Sequence, residues 1–303
     1  MPDDLIYLTL EKDFKEILLN PGEMFLVSPF ANSDAVGWLL NNCETNQKVT
    51  FVTRWRLEDI TSGVSDVEVY PLLKKFDGEM FINNRLHAKY YRKGNQALVG
   101  SANLTHNGFS LGKIGNLELL IKVDLDPSGY LQFESDLLKD SILVDEVLYA
   151  KMSQLQRDLL PIMKKIDESS TEVEDFPTLK YWWPESRNPD SLWENYLQSA
   201  DSIARKDLLY LSLPAGIPDE DVFKRIVMAA LELHPNIQRV VQFIGLSERR
   251  FGEMRRFLRV IDPDLSDATI AWQTLFRWLL YFDPVQYEYF RPNFTEIIRM
   301  REN

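Results

Sequence analysis

Between residues 23 and 70 the chain alternates short runs rich in β-branched and aromatic residues with short helix-like runs. EMFLVSPF (23–30), KVTFVTRW (48–55) and VEVY (67–70) have the composition of strands. Between them, SDAVGWLLNN (33–42) opens on a good N-cap and RLEDITSG (56–63) closes on glycine, as short helices do. Strand, helix, strand, helix predicts an α/β domain with a mixed, mostly buried sheet flanked by helices.

From about residue 130 the apolar period changes to 3.6, as in GYLQFESDLLKDSILVDEVLYAKMSQLQRDLLPIMKKI, and the sheet is expected to end there. Residues 167–192 are acidic and rich in Pro and Ser, a connecting segment in which Trp182 and Trp183 imply some packing. The expected organisation is a domain over 1–160, a linker over 161–192 and a mainly α-helical C-terminal domain over 193–303.

Charge narrows the function. The net charge is −12; residues 1–125 hold 13 Lys/Arg against 16 Asp/Glu, so −9 of it falls on residues 126–303. A chain this acidic is no general phosphate-backbone binder, and a polyanion site on it must be a local basic patch. The one cysteine, Cys43, makes an internal disulfide and a Cys-rich zinc module impossible. No apolar run reaches the roughly 18–20 residues of a membrane span, and the acidic N-terminus does not read as a secretory signal. The expectation is a cytoplasmic protein without a membrane or a cofactor.

The stretch RLHAKYYRKGNQALVGSANLTHNGF (85–109) carries the chemistry. Strand alternation sets His87, Lys89 and Tyr91 on one face. Gly94-Asn95 is a favourable two-residue turn, and folding there pairs His87 with Ala102 and Lys89 with Gly100. Gly100 is expected to break the strand and let Ser101 and Asn103 curl back beside the His/Lys pair. An imidazole, an ammonium, a hydroxyl and an amide on one spot suit a phosphodiester. Lys and Asn hold the non-bridging oxygens, and His attacks phosphorus or transfers a proton.

H-A-K, a turn, then V-G-S-A-N-L-T resembles the HKD motif of the phospholipase D superfamily in its nuclease-like, single-motif form, over about residues 5–125. GNLELLIKVD (115–124) resembles the strand bearing that family's supporting glutamate, here Glu118. The motif's aspartate is missing, with Gly94 in its place. The resemblance implies a phospholipase D-like fold and a metal-independent mechanism. One His forms a covalent phosphohistidine and a second His acts as acid and then base, with Glu118 holding the imidazole tautomer and Ser101 in the same network. A second motif is absent: His106 lies in the first motif's loop and His234 has no H-x-K around it. The scheme therefore calls for a homodimer sharing His87, Lys89 and Asn103 from both copies around one phosphate.

In the C-terminal half, SERRFGEMRRFLRVI (247–261), with Ser247 as N-cap, predicts a helix with Arg249, Arg255, Arg256 and Arg259 on one arc. That stripe reads either as a phosphate-binding or recognition helix, or as a solvated face pairing with nearby acids. DEDVFKRIVMAALELH (219–234) and ATIAWQTLFRWLLYF (268–282) predict helices, and VQYEYF a short strand or wing. The functional expectation is a nuclease acting on DNA or RNA, in a restriction or antiviral defence system. The other readings are a phosphodiesterase acting on a lipid or nucleotide, and a weakly catalytic subunit working with an ATPase or helicase partner.

Overall fold

The computed structural model describes residues 5–6, 10–43, 48–109, 111, 116–163, 181–198, 202–211, 213, 216–245, 247–292 and 296–301; much of the expected linker, 164–180, lies outside them. The chain divides into two compact units, Met1–Arg157 and Asp158–Asn303. Among the described residues no helix is long and apolar enough to cross a membrane.

The first unit runs β1 (Leu5–Ile6), α1 (Leu10–Leu18), β2 (Met24–Val27), α2 (Ser33–Asn41), β3 (Val49–Thr53), α3 (Leu57–Thr61), α4 (Val69–Lys75) and β4 (Glu79–Ile82). It continues with β5 (Tyr90–Lys93), β6 (Gln96–Gly100), α5 (His106–Phe109), β7 (Leu120–Asp124), α6 (Pro127–Lys139), β8 (Ile142–Leu143) and α7 (Glu146–Met163), whose last residues enter the second unit. The strands form one mixed sheet in the order β1-β7-β6-β5-β2-β3-β4-β8, with β2, β3 and β4 parallel and the other pairings antiparallel.

β2 and β3 are buried along their whole length, which is why they read as continuous apolar runs. On one sheet face Phe25, Val27, Val52, Leu86, Tyr90 and Ala97 form a core with Leu137 and Leu138 of α6 against it. On the other, Phe14 of α1 and Phe109 of α5 pack on Tyr91, with ring centroids 4.1–5.7 Å apart.

Two sequence expectations give way here. VEVY is not a strand: it leads into α4, where Val69, Tyr70 and Leu73 are buried at helical spacing. Pro71 fits the first helical turn because the amide it lacks has no partner there in any case. Nor does the sheet end before residue 130, since β8 pairs antiparallel with β4.

The second unit is mainly helical. It holds a 3₁₀ turn (Pro189–Ser191), α8 (Leu192–Gln198), α9 (Ser202–Tyr210), α10 (Glu220–Glu232), α11 (Pro235–Gly245), β9 (Arg249–Arg250), α12 (Phe251–Ile261), α13 (Ala268–Phe282), β10 (Tyr287–Phe290) and β11 (Ile297–Met300). Its core is tied by indoles: Trp183 Nε1 donates to Asp262 Oδ2 (2.9 Å) and Trp278 Nε1 to the Ser186 carbonyl (2.7 Å). β10 and β11 form an antiparallel hairpin, and β9 adds to it on the β11 side. Helix α11, strand β9 and helices α12 and α13, the last two joined by a short turn, are followed by the β10–β11 hairpin. The run VQYEYF supplies β10, the first strand of that hairpin.

Candidate active site

Five strands deliver their ends to one place. β2 and β3 run toward it in parallel; Val27 at the end of β2 faces Tyr90 at the start of β5, Tyr90 faces Val99 near the end of β6, and Gly100 faces Leu120 at the start of β7. Residues just before β5, just after β6 and just before β7 therefore meet beyond the carboxyl ends of β2 and β3. This is the region where open α/β sheets bind ligands.

His87 and Lys89 lie in the extended segment that enters β5. A turn at 83–85 fixes its start: the Asn83 amide donates to the Thr53 carbonyl (2.8 Å), Asn84 Oδ1 accepts from the Trp55 amide (3.2 Å), and Arg56 grips the Asn84 carbonyl through Nε and Nη2 (3.0 and 2.8 Å). Leu86 then plugs into the core, leaving His87 exposed. The β5–β6 hairpin turns at Gly94-Asn95 in the expected register, which the Gly100 amide extends to the Lys89 carbonyl (3.4 Å).

β6 stops at Gly100 for a steric reason: a Cβ there would lie 1.9 Å from the Leu119 carbonyl oxygen, so only glycine lets β7 come this close. Beyond it, Ser101 Oγ donates to Glu118 Oε2 (2.5 Å) and accepts from the Leu119 amide (3.0 Å), while Asn116 Nδ2 donates to Glu118 Oε1 (3.1 Å). The next residues are pinned from two strands: Ser28 Oγ, just past β2, accepts from the Leu104 amide (2.9 Å) and Tyr91 Oη of β5 donates to the Ala102 carbonyl (2.7 Å). That loop carries Asn103, whose Oδ1 is enclosed without a hydrogen-bond partner among the described residues. An enclosed carbonyl oxygen without a donor is costly, on the order of 1–3 kcal/mol, until a donor arrives.

Lys89 Nζ donates to the His87 carbonyl (2.9 Å). Burial, reinforced by the nearby Arg54 guanidinium and opposed by Glu118, lowers its pKa below the usual ammonium range. Arg54 is the residue the motif does not contain. It follows β3 directly, is 8% exposed, holds Asp59 through two contacts (Nε–Oδ2 2.6 Å, Nη2–Oδ1 2.9 Å) and lies over the Phe30 ring. The sequence signal for it is a charged residue placed immediately after a fully buried parallel strand. Ser101 bonds Glu118 and Lys89 lies near that carboxylate, with Asn103 in the adjoining loop. Glu118 bonds Ser101 and Asn116, and among the described residues no hydrogen bond joins it to His87.

Gly94, where the motif has aspartate, has φ +60°, and a Cβ would stand 2.4 Å from the Pro21 carbonyl oxygen, so no carboxylate fits. The turn is held instead by Arg92, whose Nη1 donates to the Gly94 carbonyl (2.8 Å). Among the described residues no group of three or more His, Cys, Asp or Glu side chains is gathered to hold a metal.

The arginine stripe is rearranged. The helix starts at Phe251, not after Ser247, with Arg250 at its cap and Glu253 Oε2 accepting from the Arg250 amide (3.0 Å). Strand pairing with β11 takes Arg249 and Arg250 out of the helix. Arg249 donates to the Phe243 carbonyl (2.8 Å) and lies over that ring, while Arg255 is half-buried beside Phe251 and feels Asp267. Arg256 and Arg259 remain exposed on α12.

No family model matches the chain, and no curated protein matches it by sequence. Among solved structures it is similar to TrmBL2, an archaeal chromatin protein whose structure shows a novel mode of DNA binding, with TM-score 0.32 and 11% identity over 48% of this chain and 55% of that one. It is also similar to NucT from Helicobacter pylori, with TM-score 0.33 and 14% identity over 50% of this chain and 94% of that one. This chain therefore spans about half the length of TrmBL2. Likenesses this slight assign no function, and what the site does rests on its own side chains.

Proposed function

We propose that the first unit is a phospholipase D-like phosphodiesterase that cleaves nucleic acid through a phosphohistidine. The observation that carries this reading is the meeting of Lys89, Ser101 and Glu118 at the sheet end that His87 enters. The ammonium of Lys89 and the amide of Asn103 draw in the non-bridging oxygens of a phosphodiester. His87 attacks phosphorus; a P–N bond forms as the P–O bond to the leaving oxygen breaks. The imidazole of His87 from a second copy protonates that oxygen, then takes a proton from water as the water oxygen attacks phosphorus and the P–N bond breaks. One chain supplies one such histidine, so the working site is a homodimer's. The acceptor at Asn103 Oδ1, without a donor among the described residues, is consistent with that reading.

The test is cleavage of labelled DNA and RNA by purified protein with EDTA present. Activity is expected to persist under chelation and to vanish in His87→Ala. Lys89→Ala and Asn103→Ala are each expected to lower turnover by roughly 10² or more, because both donate to charge that grows at phosphorus. A strict requirement for Mg²⁺, or wild-type rates in these variants, would overturn the reading.

A further inference from the structure

The second unit offers a surface that the phosphodiester chemistry does not use. Helix α13 buries Ala268, Ala271, Trp272, Thr274, Leu275, Trp278, Leu279 and Phe282, which accounts for its nearly all-round apolar sequence. Its remaining face is uncovered: Ile270, Gln273 and Arg277 are exposed, spaced three and four residues apart, and so lie in one row. No acidic residue occurs between 268 and 282. Asp267 at the cap is committed to the amides of Thr269 and Ile270 (2.8 and 3.1 Å).

The surroundings have the same sign. Residues 235–303 contain ten Arg, no Lys and nine Asp/Glu, a balance of +1 in a chain of −12. Beside the row a cleft of about 100 Å³ opens between α13 and the small sheet, lined by Arg249, Phe251, Phe276, Arg277, Glu296 and Ile298 among others. Exposed Arg256 and Arg259 stand on α12, the helix before the turn, and Arg250 is exposed on β9. In helix-turn-helix docking the second helix enters the major groove with its N-terminal residues on base edges, while the first crosses the backbone. Here Ile270, Gln273 and Arg277 lie in the first three turns of the second helix, and the arginines lie on the first.

We propose that the second unit binds double-stranded DNA, with the Ile270–Gln273–Arg277 row of α13 in the major groove and Arg256 and Arg259 on phosphates. Gln and Arg are the side chains that pair bidentately with adenine and guanine, and Ile270 suits a thymine methyl group. B-form DNA is singled out because the major groove of an RNA duplex is too deep and narrow to admit a helix. A protein groove is the poorer fit: it would want a row of apolar anchors at i, i+3 or i+4 and i+7, where this row presents Ile, Gln and Arg. In this proposal α13 reads the bases, and the 247–261 arginines serve as the phosphate contacts that were one of the two sequence readings. Binding stands apart from catalysis and survives if the phosphodiesterase reading fails.

The experiment measures full-length His87→Ala protein, so that cleavage does not intervene, by fluorescence anisotropy with a random-sequence pool of 25-base-pair DNA, the corresponding RNA duplexes and single strands. DNA duplex is expected to bind best. Gln273→Ala and Arg277→Ala, both at exposed positions that leave the core intact, are each expected to weaken it roughly tenfold. Arg256→Gln with Arg259→Gln is expected to flatten the log K against log salt slope by about 2. Wild-type affinity in both α13 variants, equal binding of RNA duplex, or no DNA binding would overturn the proposal; the last result would give the face to a protein.

Discussion

His234 and His87 take the same imidazole into opposite surroundings. His234 is buried beside the Trp182 ring, 5.6 Å between centroids, and its Nδ1 has no partner among the described residues. Burial pushes its pKa down to about 4, against about 6.5 in an unfolded chain. The fold therefore takes the neutral ring. Stability from this site is complete above pH 6.5 and is lost as pH falls toward 4, up to about 3 kcal/mol. Urea unfolding followed by tryptophan fluorescence at pH 7.5 and 4.5 checks this. The gap between wild type and His234→Phe, whose ring does not titrate, should shift by a kcal/mol or more in the variant's favour at the lower pH, and a constant gap would show that the ring takes up its proton as readily in the fold as in the unfolded chain. His87 is exposed. Arg54 escaped the sequence reading because its charge after a buried strand acquires meaning only when sheet order brings Lys89 to it.

The β5–β6 hairpin depends on a helix. Arg92 binds Glu134 of α6 through Nε (2.5 Å) and Nη2 (2.8 Å), Tyr90 Oη donates to the same carboxylate (2.9 Å), and the guanidinium lies over the Tyr130 ring. Both partners are almost fully buried, so removing one strands the other's charge. Glu134→Ala is expected to cost about 3–5 kcal/mol, read by the urea midpoint at pH 7, and an unchanged midpoint would show that the pair is solvated. Elements were legible where one local signal ruled, as in the buried run of β2, the apolar stripe of α10 and the turn after β5. They were misread where a tertiary partner decided. VEVY looks like a strand until Leu73 extends its period, and Arg249-Arg250 look helical until β11 pairs with them.

At the scale of the molecule, one chain carries one His87, and a shared site predicts its own dilution law. When wild type is co-refolded with His87→Ala, a mixed pair keeps a single imidazole and lacks either nucleophile or acid, a loss of roughly 10² to 10⁴ in rate. Activity should fall as the square of the wild-type fraction; a linear fall would mean that each chain works alone. The second unit adds a different property. From residue 235 onward its positive charge rests on arginine alone. Guanidinium keeps its proton at any pH a protein survives, and acetyl transfer to lysine finds nothing there to neutralise. The cationic charge of that surface is thus fixed at translation, and a cell that needs to loosen its grip must do so by adding negative charge or by competing for the partner.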